Sequence, residues 1–325
     1  MDELKVDAPS AGIQLGMVGT KLYSYDRNST CMRTIRTTII GSLICIILTC
    51  CENRPSTSTA SNRPRPQVRE WKRPAKSVKY RTEPASWFRK NADSLPAREQ
   101  AVLFALNRVD KSHIRYLDSI LVPNDLSGDI AYYMPFPIRV AALDDISKII
   151  FFSYPAQAFA AYEYGRLAYT GPTNMGRKND QTPEGLYYTN WKAEETTSTF
   201  NDEWELKWNV NIENKQGIGW HQYEMPGYPA SHSCLRLLEN DARDLYKWAD
   251  EWKLKGTDRI LSKGVPVIVF GSYPFGGRKP WLALAEDPDA LSITGRELAR
   301  IAAPHMEEIL AEQQKRENNS SIAGK

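Results

Sequence analysis

The stretch ASHSCLR, residues 230–236, contains Cys234, the only one of the five cysteines that lies beyond residue 51. Two of the four histidines, His221 and His232, lie within the thirteen residues that precede it. A cysteine attacks as the thiolate, and a neighbouring histidine lowers the thiol pKa by accepting the proton. The pattern therefore predicts a thiol nucleophile with a histidine as its base.

The spacing of these residues predicts how they meet. On an extended strand, His232, Cys234 and Arg236 share one face. A loop with two prolines and a glycine separates them from His221, which predicts a hairpin-like return that pairs a strand at 218–221 with one at 231–236. Backbone N–H groups around Ser233 and Cys234 would then face a developing oxyanion, and Arg236 would pair with a substrate carboxylate.

Simpler interpretations exist for the same residues. Cys234 would be an inert buried thiol, the two histidines would be core residues bonded to backbone carbonyls, and Arg236 would form a structural salt bridge. A zinc site is not expected, because one cysteine and two histidines leave no fourth ligand. We expect neither a metal nor an organic cofactor.

Several motifs resemble those of the L,D-transpeptidase (YkuD-type) catalytic domain, the cysteine enzymes that cross-link peptidoglycan. That family's signature is a histidine, a loop, then Ser/Thr-His-Gly-Cys, an apolar residue, and Asn or Arg; here it is His221 followed by SHSCLR at 231–236. Other matching stretches are YEYGRL at 162–167, TGP at 170–172, QTPEGLY at 181–187 and GVPVIV at 264–269. The resemblance covers residues 149–270.

The resemblance implies a role for each residue of the signature. Cys234 would be the nucleophile, His221 the base, and the backbone amides of His232, Ser233 and Cys234 the oxyanion hole. Substrate contacts would come from Ser231, His232 and Arg236. Ser233 stands where the family has glycine, which argues against a backbone geometry with positive φ there.

The implied reaction joins third residues of peptidoglycan stem peptides through a thioester acyl-enzyme on Cys234, with carbapenems as covalent inhibitors. With water as acceptor the protein would be an L,D-carboxypeptidase, and without activity it would be a cell-wall-binding protein. The wall-cleaving cysteine amidases and endopeptidases have cysteine before histidine, the opposite of the order here.

The N-terminal part of the sequence predicts export. Residues 37–51, TTIIGSLICIILTCC, are nearly all apolar and follow two arginines, as in a secretory signal, and are shorter than the ~20 residues of a typical membrane span. The final LTCC resembles a lipoprotein cleavage box with Cys51 as the lipidated residue; lipidation at Cys50 and an uncleaved signal anchor are alternatives. Each places the rest of the chain in the cell envelope, on the periplasmic side and tethered to the membrane.

Composition divides the chain further. Residues 1–31 are expected to be a misassigned start or a cytoplasmic tail, and 32–51 the signal. Residues 52–96 carry eleven Lys or Arg against four acids, together with six prolines, which predicts an extended linker. A net charge of only +3 gives no reason to expect nucleic acid as a partner.

The remaining residues are expected to fold. Residues 97–146 predict a small helical subdomain, with a second helix at 112–121, that resembles a LysM module. Residues 147–282 predict a mainly β catalytic domain, an L,D-transpeptidase-type β-sandwich with a few short helices, one of them at 240–254 with Asn240 or Asp241 as its N-cap. Residues 283–325 predict a charged helical tail, divided at Pro304.

Overall fold

Runs of β-branched and aromatic residues between glycine and proline turns form most of the strands. The computed structural model describes residues 69–198 and 205–323. The strands there are β1 (Tyr80–Pro84), β2 (Ser119–Pro123), β3 (Ile149–Ser153), β4 (Ala158–Glu163), β5 (Arg166–Pro172), β6 (Gly185–Tyr188), β7 (Lys192–Thr197), β8 (Glu205–Glu213), β9 (Ile218–Gln222), β10 (Leu235–Leu237), β11 (Lys253–Lys255), β12 (Arg259–Ser262) and β13 (Pro266–Phe270). The α-helices are α1 (Ser86–Asn91), α2 (Ala97–Asn107), α3 (Glu239–Trp248), α4 (Gly295–Ala302) and α5 (Met306–Ala323).

Two sheets form the centre of the fold. One has the order β5-β4-β3-β13-β6, with β13 parallel to β3, and the other has the order β10-β9-β8-β7. Side chains alternate along β3, so Ile150 and Phe152 face the core shared with Trp220 of the second sheet, while Phe151 faces a core shared with Leu298 of α4. Because both faces of β3 are buried, its sequence is a continuous apolar run. The prediction of a mainly β domain with a few short helices is confirmed.

The predicted extended linker is wrong for residues 69–96. This part contains β1 and α1, and β1 pairs antiparallel with β2. Trp71 is 8% exposed, and its indole N–H donates to the Leu167 carbonyl at 3.0 Å. The guanidinium of Arg69 lies 4.0 Å from the centre of the Trp71 ring, so a basic residue covers an aromatic one instead of extending into solvent. Residues 52–68, like the predicted tail and signal at 1–51 with Cys51, lie outside the described residues.

The predicted second helix at 112–121 is also wrong. A short 3-10 turn, Ile114–Tyr116, is followed by β2, because Ile120 and Val122 suit a strand that pairs with β1. The order from residue 80 to 123 is thus strand, two helices, strand. The resemblance to a LysM module stays a prediction.

Helix α3 and the C-terminal helices differ from the predicted ones in where they end or in what they contact. Helix α3 begins at Glu239 with Leu238 at the N-cap, where no side chain accepts a hydrogen bond, and it ends at Trp248. The C-terminal segment is helical and divides at residues 303–305, as predicted, but Leu298, Ala302 and Ile309 pack into the core beside β3. It is therefore not a solvated tail. None of the described helices is long and apolar enough to cross a membrane.

Asn107 joins the end of α2 to β2. Its side-chain amide donates to the carbonyls of Leu103 and Leu121, at 2.9 and 3.0 Å, and its Oδ1 accepts from the Leu121 N–H at 2.7 Å. We expect Asn107→Ala to lower the free energy of unfolding by about 3 kcal/mol, because buried backbone groups lose their partners. Urea unfolding of the full chain checks this. Asn240→Ala, at an exposed asparagine, is the control, and equal losses in the two variants would contradict the prediction.

Candidate active site

Parallel pairing between β9 and β10 builds the site. Trp220 is in register with Leu235, and His221 is in register with Arg236. Trp220 and Leu235 are fully buried in the core, so their sequence neighbours His221 and Arg236 project from the opposite face. Cys234, two residues before Arg236, precedes the strand on that same side.

The predicted hairpin-like return is therefore wrong. The strands run in the same direction, so residues 223–234 must travel back along β9 before β10 begins. Residues 231–234 do not extend β10, because Ser233 has a φ of 77°. The residues that follow β5 hold the returning chain. Ser231 N–H donates to the Met175 carbonyl at 3.2 Å, and Arg236 N–H donates to the Asn174 carbonyl at 2.9 Å.

The side chains that were predicted to act in catalysis or substrate contact line one cavity of about 20 Å³. It is lined by Ser198, Leu206, His221, Tyr223, Ser231, His232, Cys234 and Arg236. Ser198, Leu206 and Tyr223, which also line it, were not predicted.

Ser233 has a positive φ, which was not expected for a serine at this position. A glycine would allow this geometry. Its hydroxyl donates to the Asp180 carbonyl at 3.2 Å, and its own carbonyl accepts from Thr182 Oγ1 at 2.9 Å. Thr182 Oγ1 also accepts from the Gly176 N–H at 3.1 Å. The stretch around Thr182 therefore holds the turn before Cys234, a role that the sequence motif alone did not reveal.

Ser231 supports the turn from the other side. Its side chain is buried, and its hydroxyl donates to the Cys234 carbonyl at 2.5 Å. The predicted contact of Ser231 with substrate stays a prediction. The visible role of this hydroxyl is to close the four-residue turn that presents the thiol.

His221 is 4% exposed, and its Nδ1 lies 3.0 Å from the Gln222 carbonyl. A carbonyl only accepts, so Nδ1 carries the proton and Nε2 has the free lone pair. Burial lowers the pKa of His221 to about 4, although the bond to Gln222 acts to raise it and the charge of Arg236 lowers it further. The imidazole is therefore neutral at pH 7 and able to accept a proton.

The thiol of Cys234 is also neutral at pH 7. Burial raises the pKa of Cys234 above its ordinary value, while the Gly219 N–H and the charge of Arg236 act to lower it. The sulfur donates to the Gly217 carbonyl at 3.7 Å. The resting pair is thus thiol and imidazole, rather than the thiolate and charged histidine that the sequence suggested.

Arg236 points its guanidinium along the cavity wall. Its Nη1 donates to the Glu224 carbonyl at 3.2 Å, and its Cζ lies 4.5 Å from the centre of the Tyr223 ring. In the part of the chain that the structure describes, no carboxylate lies within ion-pair distance of it. The alternative interpretation as a structural salt bridge is therefore not supported.

Residues 69–198 and 205–323 contain no group of three His, Cys, Asp or Glu side chains placed to hold a metal.

Residues 147–269 match the family model YkuD, described as the L,D-transpeptidase catalytic domain. The match covers 123 of the 325 residues and includes both His221 and Cys234. The strands of this segment, β3 to β13, contain both sheets and the cavity around Cys234. A comparison with curated proteins finds no significant match.

Several solved L,D-transpeptidases are similar to part of this chain at low identity. The enzyme from Stackebrandtia nassauensis is 22% identical, with a TM-score of 0.32, over 39% of this chain and 57% of that one. A cysteine-to-serine mutant of the Enterococcus faecium enzyme is 22% identical, with a TM-score of 0.30, over 38% and 50%. L,D-transpeptidase 3 from Mycobacterium tuberculosis, in complex with a faropenem-derived adduct, is 20% identical, with a TM-score of 0.30, over 39% and 61%. The match thus spans between half and about three fifths of each of these chains.

The positive φ of Ser233 predicts a stability difference between two variants that both lack the hydroxyl. Ser233→Gly is expected to be more stable than Ser233→Ala by about 1–2 kcal/mol, because a Cβ is unfavourable in the left-handed region. Urea unfolding measures the difference. At Ala299, inside α4, the Ala-to-Gly change is expected to have the opposite sign and to cost about 1 kcal/mol. Equal stability of the two Ser233 variants would contradict the turn geometry.

The neutral pair predicts a pH profile for the thiol. Only the thiolate reacts, so alkylation of Cys234 by iodoacetamide should accelerate roughly tenfold per pH unit from pH 6 to 9, with no plateau. The rate is read by peptide mass mapping, with N-acetylcysteine as the reference thiol. A plateau that begins at pH 5–6 would show an ion pair of thiolate and charged histidine instead.

Proposed function

We propose that this chain is an exported, membrane-tethered L,D-transpeptidase in which Cys234 is the nucleophile and His221 the base. The observation that carries the proposal is that His221, Cys234 and Arg236 line one cavity, with His221 and Arg236 in register on β9 and β10. The cavity lies in the segment that matches the L,D-transpeptidase catalytic domain. The donor is a tetrapeptide stem of peptidoglycan. The tether is the N-terminal apolar stretch, with lipidation at Cys51.

Acylation begins with transfer of the Cys234 proton to His221 Nε2, while sulfur bonds to the carbonyl carbon of the third stem residue. The tetrahedral intermediate collapses as its C–N bond breaks, and D-Ala leaves with the proton from His221. A thioester on Cys234 remains. This order of events suits the neutral pair of thiol and imidazole, since each charge forms only when the proton moves.

Deacylation reverses the roles. The side-chain amine of a second stem's third residue attacks the thioester, loses a proton to His221 and forms the new C–N bond. The C–S bond breaks, and the sulfur regains the proton. The product is a cross-link between third residues, and no metal or cofactor takes part.

The turn at 232–234 supplies the oxyanion hole in this proposal. The backbone N–H groups of His232, Ser233 and Cys234 would donate to the developing oxyanion. Bonds from Thr182 and Ser231 to carbonyls of this turn hold it before substrate arrives. Arg236, partly buried and without an ion-pair partner among the described residues, would bind a substrate carboxylate.

Product analysis tests the proposal. The full chain is incubated with purified disaccharide-tetrapeptide, and products are identified by mass spectrometry, with Cys234→Ala as the control. We expect a dimer that has lost one D-Ala, formed only by the wild type. Tripeptide alone would mean that water is the acceptor and that the protein is an L,D-carboxypeptidase. Unchanged tetrapeptide from a folded sample would favour a wall-binding protein.

Covalent inhibition gives a second test that needs no cell-wall substrate. Because a related L,D-transpeptidase is known with a faropenem-derived adduct, a penem or carbapenem is a suitable probe. We expect one adduct on Cys234 of the wild type and none on Cys234→Ala. For His221→Gln we expect adduct formation to slow by about 100-fold, because the thiol loses its base. An equal rate in wild type and His221→Gln would exclude His221 as the base.

A further inference from the structure

The segment that follows α2 contacts the loop that follows the catalytic histidine. Val109 forms an isolated antiparallel bridge with Pro226. Asp110 N–H donates to the Met225 carbonyl at 3.0 Å, and Asp110 Oδ2 accepts from the Met225 N–H at 2.7 Å. Asp110, which lies in the N-terminal segment that precedes the catalytic domain, thus pairs with both the N–H and the carbonyl of Met225, four residues after His221.

The second oxygen of Asp110 is held by its own turn. Oδ1 accepts from the Ser112 N–H at 2.8 Å, the Ser112 hydroxyl at 2.6 Å and the His113 N–H at 2.9 Å, and His113 Nδ1 lies 2.9 Å away. Partial burial acts to raise the pKa of Asp110, but hydrogen bonds from Ser112, Met225 and His113 bring it below the ordinary value. The carboxylate therefore stays charged and cannot rotate without losing several bonds.

The contact continues to the cavity. Glu224, adjacent to Met225, presents the carbonyl that accepts from Arg236 Nη1 at 3.2 Å. Tyr223, one residue earlier, stacks under the Arg236 guanidinium and lines the cavity around Cys234. Three consecutive residues thus connect Asp110 to Arg236, whose charge acts on the Cys234 thiol.

The other half of this loop has a different anchor. Asn174 donates to the Tyr228 carbonyl, and its Oδ1 accepts from the Ala230 N–H at 3.1 Å. Gly227, with a φ of 82°, lies between the two anchored halves. Asn174 therefore holds residues 228–230, and Asp110 holds the half that contacts Arg236.

We propose that Asp110 is a positioning residue for Arg236, acting through the backbone of Met225 and Glu224, so that the N-terminal segment forms part of the active site. Any effect of Asp110 on substrate binding rests on the proposed function. Its effect on where the charge of Arg236 lies relative to Cys234 does not depend on that function.

The charge at the thiol is measured with two alkylating reagents of similar size. Iodoacetate is an anion and iodoacetamide is neutral. The rate with iodoacetate divided by the rate with iodoacetamide at Cys234 therefore increases with the positive charge nearby. In the full chain, with peptide mass mapping to separate the other cysteines, we expect Arg236→Gln to lower this ratio by about fivefold. Asp110→Ala should lower it by a similar factor.

A double variant separates positioning from a general loss of structure. If Asp110 acts through Arg236, Asp110→Ala in the Arg236→Gln background should cause no further fall in the ratio. Ser112→Ala, which removes a bond to Oδ1 but leaves the bonds to Met225, should keep the wild-type ratio. If circular dichroism shows that Asp110→Ala does not fold, Asp110→Asn takes its place with the same expected non-additivity.

Unchanged ratios in the Asp110 variants, or a further fall in the double variant, would overturn the proposal. With the tetrapeptide donor, we expect KM to rise about tenfold in Asp110→Ala, while kcat changes less than twofold. A fall in kcat with unchanged KM would also overturn it. If the wild type processes no donor but the ratios behave as expected, the positioning role stands and the transpeptidase proposal fails.

Discussion

The parallel pairing of β9 with β10 is the constraint on which the site depends. It places His221 beside Arg236 and directs both away from the core, but it also requires the intervening chain to travel back along β9. That return has no sheet of its own and is held by distant side chains: Asn174 and Thr182 from the connection between β5 and β6, and Asp110 from the segment after α2. The Cys234 thiol thus stands at the end of a loop that two separate parts of the chain keep in place.

Burial then determines the charge state of His221 and Cys234. His221 and Cys234 are both withdrawn from water, and desolvation favours the neutral form of each. A preformed ion pair would need compensation for two buried charges. The Gly219 N–H and the charge of Arg236 favour the thiolate, but Arg236 disfavours a charged His221, which only the Gln222 carbonyl supports. Because the pKa of Cys234 is raised, little thiolate is present at neutral pH, and the thiolate is the form that oxidants attack.

Much of this was predictable from sequence, and the failures have physical causes. The stretches YEYGRL at 162–167 and GVPVIV at 264–269 carry local patterns of alternation and turn chemistry, and the structure has β4, β5 and β13 there. Strand direction between β9 and β10 depends on contacts with residues 174–176, which local patterns do not encode. The basic residues near Trp71 suggested a linker because composition does not reveal that arginines stack on aromatic rings. The positive φ of Ser233 depends on Asp180 and Thr182, some fifty residues earlier.

If Cys234 carries the donor as a thioester, as we propose, that intermediate can be trapped. The full chain is mixed with disaccharide-tetrapeptide, quenched in acid within seconds and digested at low pH for mass spectrometry. The account predicts that the peptide containing Cys234 gains the mass of the donor less D-Ala, and that hydroxylamine removes this mass. A donor adduct on any other residue, or turnover to product in Cys234→Ala, would contradict it.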